Sequence, residues 1–143
     1  EETNIGRKLF FNFYNGKCFD RIANVVSIED TLFSPQMGGY AGRVDIIYEN
    51  EKGHLVILDF KSSKKAKRED WIENYKMQIA AYSLAYWEMH NRKPQGGEIW
   101  ISNEADGFPQ VFEMTFDDIT KYGKMFLGLV KEFHKKYILE PNI

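Results

Sequence analysis

Cysteine is nearly absent from this chain of 143 residues, in which Cys18 is the only one. A single cysteine excludes a disulfide framework, a thiolate zinc site and an iron–sulfur cluster built within the chain, and it suits a reducing, cytosol-like compartment. The sequence also lacks an apolar run of membrane-spanning length, a recognisable signal peptide, internal repeats and low-complexity tracts. What remains is the composition of a folded domain, with 43% hydrophobic and 15% aromatic residues.

A strong charge bias is missing as well. The net formal charge is −2, so any surface for nucleic acid must be a local cluster of cations rather than a property of the whole chain. One such cluster is present, with five cations within eight residues: Lys61, Lys64, Lys65, Lys67 and Arg68. A run of this kind is either a solvated loop or a loop that contacts phosphates.

Hydrophobic periodicity predicts an α+β domain built around a mixed sheet. The predicted elements are a helix at 5–14, strands at 25–34, 39–49 and 54–62, a helix at 69–90, strands at 98–103 and 109–115, and a helix at 117–137. Residues 19–26 fit either a helix or a strand. The order is therefore α-β-β-β-α-β-β-α, with about five strands flanked by helices.

The second and third strands form a predicted hairpin whose turn is centred on Glu51-Lys52-Gly53. Gly53 can adopt the left-handed conformation that a short hairpin loop needs. With this turn, Tyr48 opposes Val56, and the same register places Asp45 directly opposite Asp59. Alternation then puts Val44, Ile46, Tyr48, Val56, Leu58 and Phe60 on one face, and Asp45, Ile47, Leu55, Ile57, Asp59 and Lys61 on the other.

Two facing carboxylates on a mostly apolar sheet repel each other and lose solvation. A divalent cation removes both penalties, and an oxygen shell of Asp45, Asp59, the Phe60 carbonyl and waters suits Mg²⁺ or Mn²⁺. Lys61 points to the same face, where it can polarise a water or a phosphate oxygen, so the group suits metal-assisted phosphodiester hydrolysis. The alternative is a structural ion pair, in which Lys61 or Arg43 neutralises one of the acids at a solvated end of the sheet.

These motifs resemble the PD-(D/E)XK nuclease superfamily, and within it the RecB-type exonuclease branch, which includes the mitochondrial genome maintenance exonuclease and related phage exonucleases. The resemblance rests on Gly42-Arg43-Val44-Asp45, thirteen intervening residues, then Asp59-Phe60-Lys61-Ser62-Ser63, followed by Gln78 and Tyr82 in a Q-x-x-x-Y pattern. It implies a restriction-endonuclease-like core. It also implies that Asp45 and Asp59 bind the metal, that Lys61 is catalytic, and that Glu29 matches an acid found ahead of the G-R-V-D strand.

The helix at 69–90 carries a stripe of large side chains at spacings of three or four: Trp71, Tyr75, Gln78, Tyr82 and Tyr86. Such a stripe is more often core than binding site, but a glutamine within it needs hydrogen-bond partners. The resemblance implies that Gln78 and Tyr82 face the nuclease centre and contact DNA or order the site. Tyr75 and Trp71 either stack on bases or pack in the core. The expected DNA contacts are Ser62, Ser63, Lys64, Lys65, Lys67, Arg68, Tyr75 and Tyr82.

The branch usually carries a metal-binding histidine on an upstream helix in a G-x-x-x-H pattern, and here Phe10 follows Gly6 at that spacing. Either an N-terminal helix with this histidine is missing from the single domain of residues 1–143, or the enzyme works without it. We expect a metal-dependent DNA exonuclease in the cytoplasm of a bacterial or phage-infected cell. It would act on single-stranded or double-stranded ends, with replication or recombination proteins as partners. The alternative is a catalytically weak or inactive DNA-binding module on a nuclease fold.

Overall fold

The computed structural model describes residues 2–35 and 39–136 of the chain. In chain order the elements are helix α1 (Glu2–Asn15), strands β1 (Asn24–Ser34), β2 (Tyr40–Glu49) and β3 (Leu55–Ser63), helix α2 (Glu73–His90), strands β4 (Gly96–Asn103) and β5 (Gln110–Thr115), and helix α3 (Phe116–His134). Short 3-10 turns at Cys18–Arg21 and Glu69–Trp71 precede β1 and α2. The predicted order of elements is confirmed, although residue 137 of the last predicted helix lies outside the described residues.

The five strands form one sheet in the order β1-β2-β3-β4-β5. All neighbours are antiparallel except β3 and β4, which are parallel. Parallel neighbours need a long crossover connection, and α2 supplies it. The predicted mixed sheet flanked by helices is therefore confirmed, and the fold is the restriction-endonuclease-like α+β arrangement that the motifs implied.

Strand β3 is buried on both faces, which is why it reads as an almost continuous apolar run. Its residues from Leu55 to Asp59 are each at most 6% exposed. On one face Leu55 and Ile57 pack against α2 and α3 in a cluster that includes Ile79. On the other face the strand packs against α1 in a cluster of Phe13, Cys18, Tyr48, Val56, Leu58 and Trp100. Asp59 is the one charged residue within this buried run.

The hairpin between β2 and β3 follows the predicted register. Ile46 pairs with Leu58, and Tyr48 pairs with Val56. Gly53 has φ of 76°, the left-handed conformation expected of it, and its N–H donates to the Asn50 carbonyl at 2.9 Å.

The predicted alternation of faces fails beyond Ile46. Val44 packs in the cluster on the α2 face with Ile47 rather than on the face of Ile46, so the placement of Val44 predicted from the sequence is wrong. The break falls at Asp45. On the neighbouring strand it lies opposite Glu29, whose φ of 55° is left-handed. A left-handed residue in a strand interrupts the regular pleat and re-aims the side chains around it.

The second predicted helix is wrong over its first turn. Residues Glu69–Trp71 form a separate 3-10 turn, and α2 begins at Glu73. Trp71 consequently lies outside the helical stripe and is 59% exposed, whereas Tyr86 is buried in the core. Among the described residues, every helix is too short or too polar to cross a membrane.

Candidate active site

Asp45 and Asp59 meet at the point where β2 and β3 stop pairing. Within the described parts of β2 and β3, Ile46 and Leu58 form the last regular pair before the acids. The Phe60 N–H, which would face β2 in a continued ladder, instead donates to Asp45 Oδ2 at 2.8 Å. The structure therefore brings the two acids together, as the predicted register implied. The contact that joins the strands here is the bond from the Phe60 N–H to the Asp45 side chain, which the register did not predict.

The Asp59 carboxylate lies in an unfavourable environment for a charge. It is 5% exposed, and burial raises its pKa to about 6, with the neighbouring Asp45 carboxylate adding to the shift. Lys61 opposes the shift through its Nζ, which lies 2.8 Å from Asp59 Oδ2. Lys61 supplies one positive charge beside two carboxylates. Asp45 and Asp59 together therefore keep an excess of negative charge, which a bound cation would neutralise.

Lys61 continues into a hydrogen-bonded chain on α2. Its Nζ donates to Gln78 Oε1 at 2.9 Å, and Gln78 Nε2 donates to the Tyr82 hydroxyl at 2.9 Å. The same ammonium lies 4.9 Å from the centroid of the Tyr75 ring. Both ends of the Gln78 amide are therefore satisfied, which explains a polar residue within an aromatic stripe.

Gly42 has a role that the sequence did not reveal. A Cβ at this position would lie 2.3 Å from Cε1 of Tyr82, far inside van der Waals contact. The glycine of the G-R-V-D motif therefore leaves the space in which the Tyr82 ring lies, and so supports the hydrogen bond from Gln78.

The basic loop, which we define as residues 62–68, is held at two points. At its start, the Ser63 hydroxyl donates to the Lys65 carbonyl at 2.5 Å. At its end, the Lys67 N–H donates to Gln110 Oε1 and the Gln110 amide donates to the Lys67 carbonyl, both at 2.7 Å. Gln110 on β5 was missed because nothing in the local sequence marks a glutamine whose partner is 43 residues away.

The predicted DNA-contacting residues fall into two groups. Tyr75 and Tyr82 lie beside Lys61 and Gln78 at the acidic pair. Ser62, Lys64, Lys65 and Arg68 are exposed in the basic loop, and Ser63 and Lys67 are partly exposed there. The loop begins within β3, directly after Lys61, so the cations continue outward from the acids.

Glu29 is not brought into the acidic cluster. Its carboxylate pairs with Arg43 at 2.8 Å, and both side chains are more than 60% exposed. Phe10, which stands at the place of the expected histidine, is half-exposed on α1 and packs against Phe19. A ligand role for Glu29 stays a prediction.

The donor set at Asp45 and Asp59 fits a hard divalent cation. Within residues 2–35 and 39–136, no group of three or more acidic, histidine or cysteine side chains could hold a metal. Two carboxylates are nevertheless what Mg²⁺ uses, because it keeps several waters and takes few protein ligands. The N–H and C=O of an extended residue point to the same side of the strand, so we expect the Phe60 carbonyl on the side of β3 on which its N–H meets Asp45.

A cavity of about 550 Å³ lies at the hairpin end of the sheet and is lined by Arg21, Tyr48 and Glu98 among others. Glu98 is buried like Asp59, but it accepts hydrogen bonds from Arg21 Nη2 at 2.6 Å, from Trp100 Nε1 at 3.2 Å and from the Tyr48 hydroxyl. This carboxylate is fully compensated by its neighbours. We therefore assign it a structural role, in contrast to Asp59.

Comparison with known proteins agrees with this architecture. A protein from Eubacterium rectale named "Putative exonuclease" matches 93% of this chain with a TM-score of 0.63 and 12% sequence identity. The protein SSO0001 matches 84% with a TM-score of 0.50 and 16% identity. At these identities the likeness shows the fold alone, and this chain spans 51% and 58% of the two solved chains. No curated protein matches the chain.

The family is shown by a match to a family model rather than by these solved structures. The family model described as the PD-(D/E)XK nuclease superfamily matches residues 20–135, which include both acids, Lys61, Gln78 and the basic loop. The match covers most of the chain, and the chain therefore belongs to the PD-(D/E)XK nuclease superfamily.

Proposed function

We propose that the chain is a metal-dependent DNA nuclease of the RecB-type branch that hydrolyses phosphodiester bonds, and that it acts as an exonuclease in phage-type recombination, replication or repair. The observation that carries this proposal is the buried Asp59 beside Asp45, with Lys61 between the acids and Gln78. The exonuclease assignment is supported by the motif resemblance and by the name of the Eubacterium rectale protein, which shares the fold. The chain would act in the cytoplasm of a bacterial or phage-infected cell with replication or recombination proteins.

Asp45, Asp59 and the Phe60 carbonyl are the groups that would hold Mg²⁺ or Mn²⁺. When bound, such a cation supplies Lewis-acid stabilisation of phosphoryl oxygens and lowers the pKa of water. The acids of this chain supply negative charge at a position that is screened from bulk solvent, since Asp59 is 5% exposed.

Lys61 is placed to stabilise negative charge as it develops on the phosphate. An ammonium has three N–H donors, and two of them go to Asp59 and Gln78. We assign the third to a substrate phosphate oxygen or to the attacking water. Because Asp59 and Gln78 fix the ammonium before the substrate arrives, little reorganisation is needed during the reaction.

The basic loop would hold the DNA backbone next to these groups. Ser62, Ser63, Lys64, Lys65, Lys67 and Arg68 would contact phosphates, while Tyr75 and Tyr82 would line the path at the metal site. A loop backbone that is held before binding loses less conformational freedom on binding, and Gln110 holds this loop through the backbone of Lys67.

The direct test is cleavage of end-labelled linear DNA, single-stranded and duplex, with Mg²⁺ or Mn²⁺ and with EDTA. We expect nucleotide release from ends with metal, no cleavage in EDTA, and no cleavage of circular DNA. The Asp59→Asn protein should be inactive under all conditions. A wild-type protein that binds DNA but cleaves none of these substrates with metal would instead support the inactive DNA-binding module.

Metal binding itself should be visible without DNA. At a Mn²⁺ concentration of about 100 times Kd, binding to the folded state adds about 2.7 kcal/mol of stability, so the melting temperature should rise. The Asp59→Asn protein should lose this gain because it lacks one of the two carboxylates.

The control for this measurement is Asp118→Asn, which changes an acid of the α3 capping box. The amide oxygen of the new side chain can still accept from the Thr115 N–H, so the starting melting temperature should fall only slightly, through the lost negative charge at the helix N-terminus, and the Mn²⁺-induced gain should be kept. Equal Mn²⁺ stabilisation of wild type and Asp59→Asn would contradict the proposed metal site.

A further inference from the structure

Trp71 is a large aromatic side chain left in solvent beside the basic loop. It is 59% exposed and ends the 3-10 turn that joins the loop to α2. Single exposed apolar residues are common and need no explanation. Two features of its surroundings distinguish this one.

The first feature is a cation held against the indole. The guanidinium carbon of Arg68 lies 5.4 Å from the centroid of the Trp71 ring. Arg68 is itself fixed by Asp70, to which its Nε and Nη2 donate at 3.1 Å each. The guanidinium thus lies near the ring in the absence of any ligand, and a guanidinium near a ring adds cation–π attraction.

The second feature is the position of the ring relative to the proposed catalytic groups. Trp71 lies three residues after the end of the basic loop and four residues before Tyr75, and Tyr75 lies under the Lys61 ammonium. Lys67, at the other side of Arg68, is clasped by Gln110. A strand whose phosphates follow the loop toward Lys61 would pass its bases close to the indole.

We propose that Trp71, with Arg68 against its ring, is a stacking platform for an unpaired nucleobase, so that the site takes single-stranded DNA; this inference rests on the nuclease function proposed above. Base–aromatic stacking requires an open base face and is tolerant of sequence. The bases within a duplex have both faces covered by their neighbours. A platform at this position therefore favours single strands or unwound ends over continuous duplex.

Binding of an oligothymidylate in EDTA, where cleavage is blocked, tests the platform. Trp71→Ala should weaken this binding by about 5- to 150-fold, the range of one lost base–aromatic stack. Trp71→Phe should restore most of the affinity because it returns a ring. Since Trp71 is largely exposed, neither change should lower the melting temperature appreciably.

Trp87 provides a matched control. It is 37% exposed near the other end of α2, and Lys93 Nζ lies 5.9 Å from its ring centroid, so it too is an indole with a cation. Trp87→Ala should leave oligothymidylate affinity within about twofold, because a ring far from the basic loop has no base to stack on. In fluorescence, the Trp87→Phe protein should still be quenched by the oligonucleotide, and the Trp71→Phe protein should not.

Two further measurements separate stacking from phosphate binding. Trp71→Ala should leave the affinity for closed circular duplex unchanged, and it should leave the slope of log K against log salt unchanged, since it removes no phosphate contact. Lys65→Ala should instead flatten that slope by up to about one unit.

Unchanged oligothymidylate affinity in Trp71→Ala, or equal losses on single strand and circular duplex, would overturn the platform. A wild-type protein that binds and cleaves DNA with no change in Trp71 fluorescence overturns the platform and leaves the proposed function standing. A wild-type protein that binds no DNA overturns both.

Discussion

Lys61→Ala should lower the rate of DNA cleavage by about a hundredfold or more while leaving DNA affinity within several-fold. Under the proposed function, an ammonium that contacts Asp59 and Gln78 belongs with the groups that act on the scissile phosphate rather than with those that hold the strand. A donor fixed where charge develops contributes mainly to the transition state, and its loss therefore appears in turnover rather than in binding.

The measurement is single-turnover cleavage at saturating DNA, with binding determined separately in EDTA. Lys124→Ala serves as the charge-matched control, because Lys124 is an exposed lysine on α3 and its removal changes net charge equally. It should cleave at the wild-type rate. Retained cleavage by Lys61→Ala, or a loss of affinity as large as the loss of rate, would remove the lysine from the chemical step.

Gln78→Leu should reduce turnover by about an order of magnitude or more without a comparable loss of stability. Leucine keeps most of the volume of glutamine but neither accepts from Lys61 nor donates to Tyr82. A buried polar group left without a partner costs about 1–3 kcal/mol, and for these partly exposed groups water and the added apolar surface offset that cost. The lysine then loses one of the two groups that fix its direction.

Gln95→Leu is the matched control for this change. Gln95 also uses its side-chain amide, accepting the Leu55 N–H at 2.7 Å, but it does so at the hairpin end of the sheet. Its replacement should lower the melting temperature and leave turnover unchanged, which is the opposite pattern. A stable and fully active Gln78→Leu protein would show that the hydrogen bonds from Gln78 to Lys61 and Tyr82 contribute nothing to the function.

The hairpin was predictable from sequence because its determinants are local. Gly53 specifies the turn, and the β-branched strands on either side specify the register that brings Asp45 toward Asp59. The hydrogen bonds that link Lys61 to Gln78 and Gln78 to Tyr82 could be predicted only from the resemblance to a known family. Lys61 lies on β3 and the other two residues lie on α2, so no local pattern connects them.

What the sequence did not reveal depends on contacts between distant parts of the chain. Val44 changes face because the ladder is interrupted opposite the left-handed Glu29, and periodicity in one strand contains no information about its neighbour. Trp71 leaves the predicted stripe because a 3-10 turn precedes α2, although residues 69–90 have helical spacing throughout. Gln110 clasps Lys67 only after β5 has joined the sheet.

Gly42 and Tyr82 belong to two motifs that are usually considered separately, yet they compete for one volume. Any side chain at position 42 would overlap the ring at position 82. A relative that lacks the glycine must therefore also have lost the tyrosine or have moved it, and with it the hydroxyl that accepts from Gln78. Positions 42 and 82 should therefore vary together among distant relatives. The presence or absence of the glycine in the G-R-V-D motif then indicates whether a relative keeps the tyrosine that accepts from the glutamine.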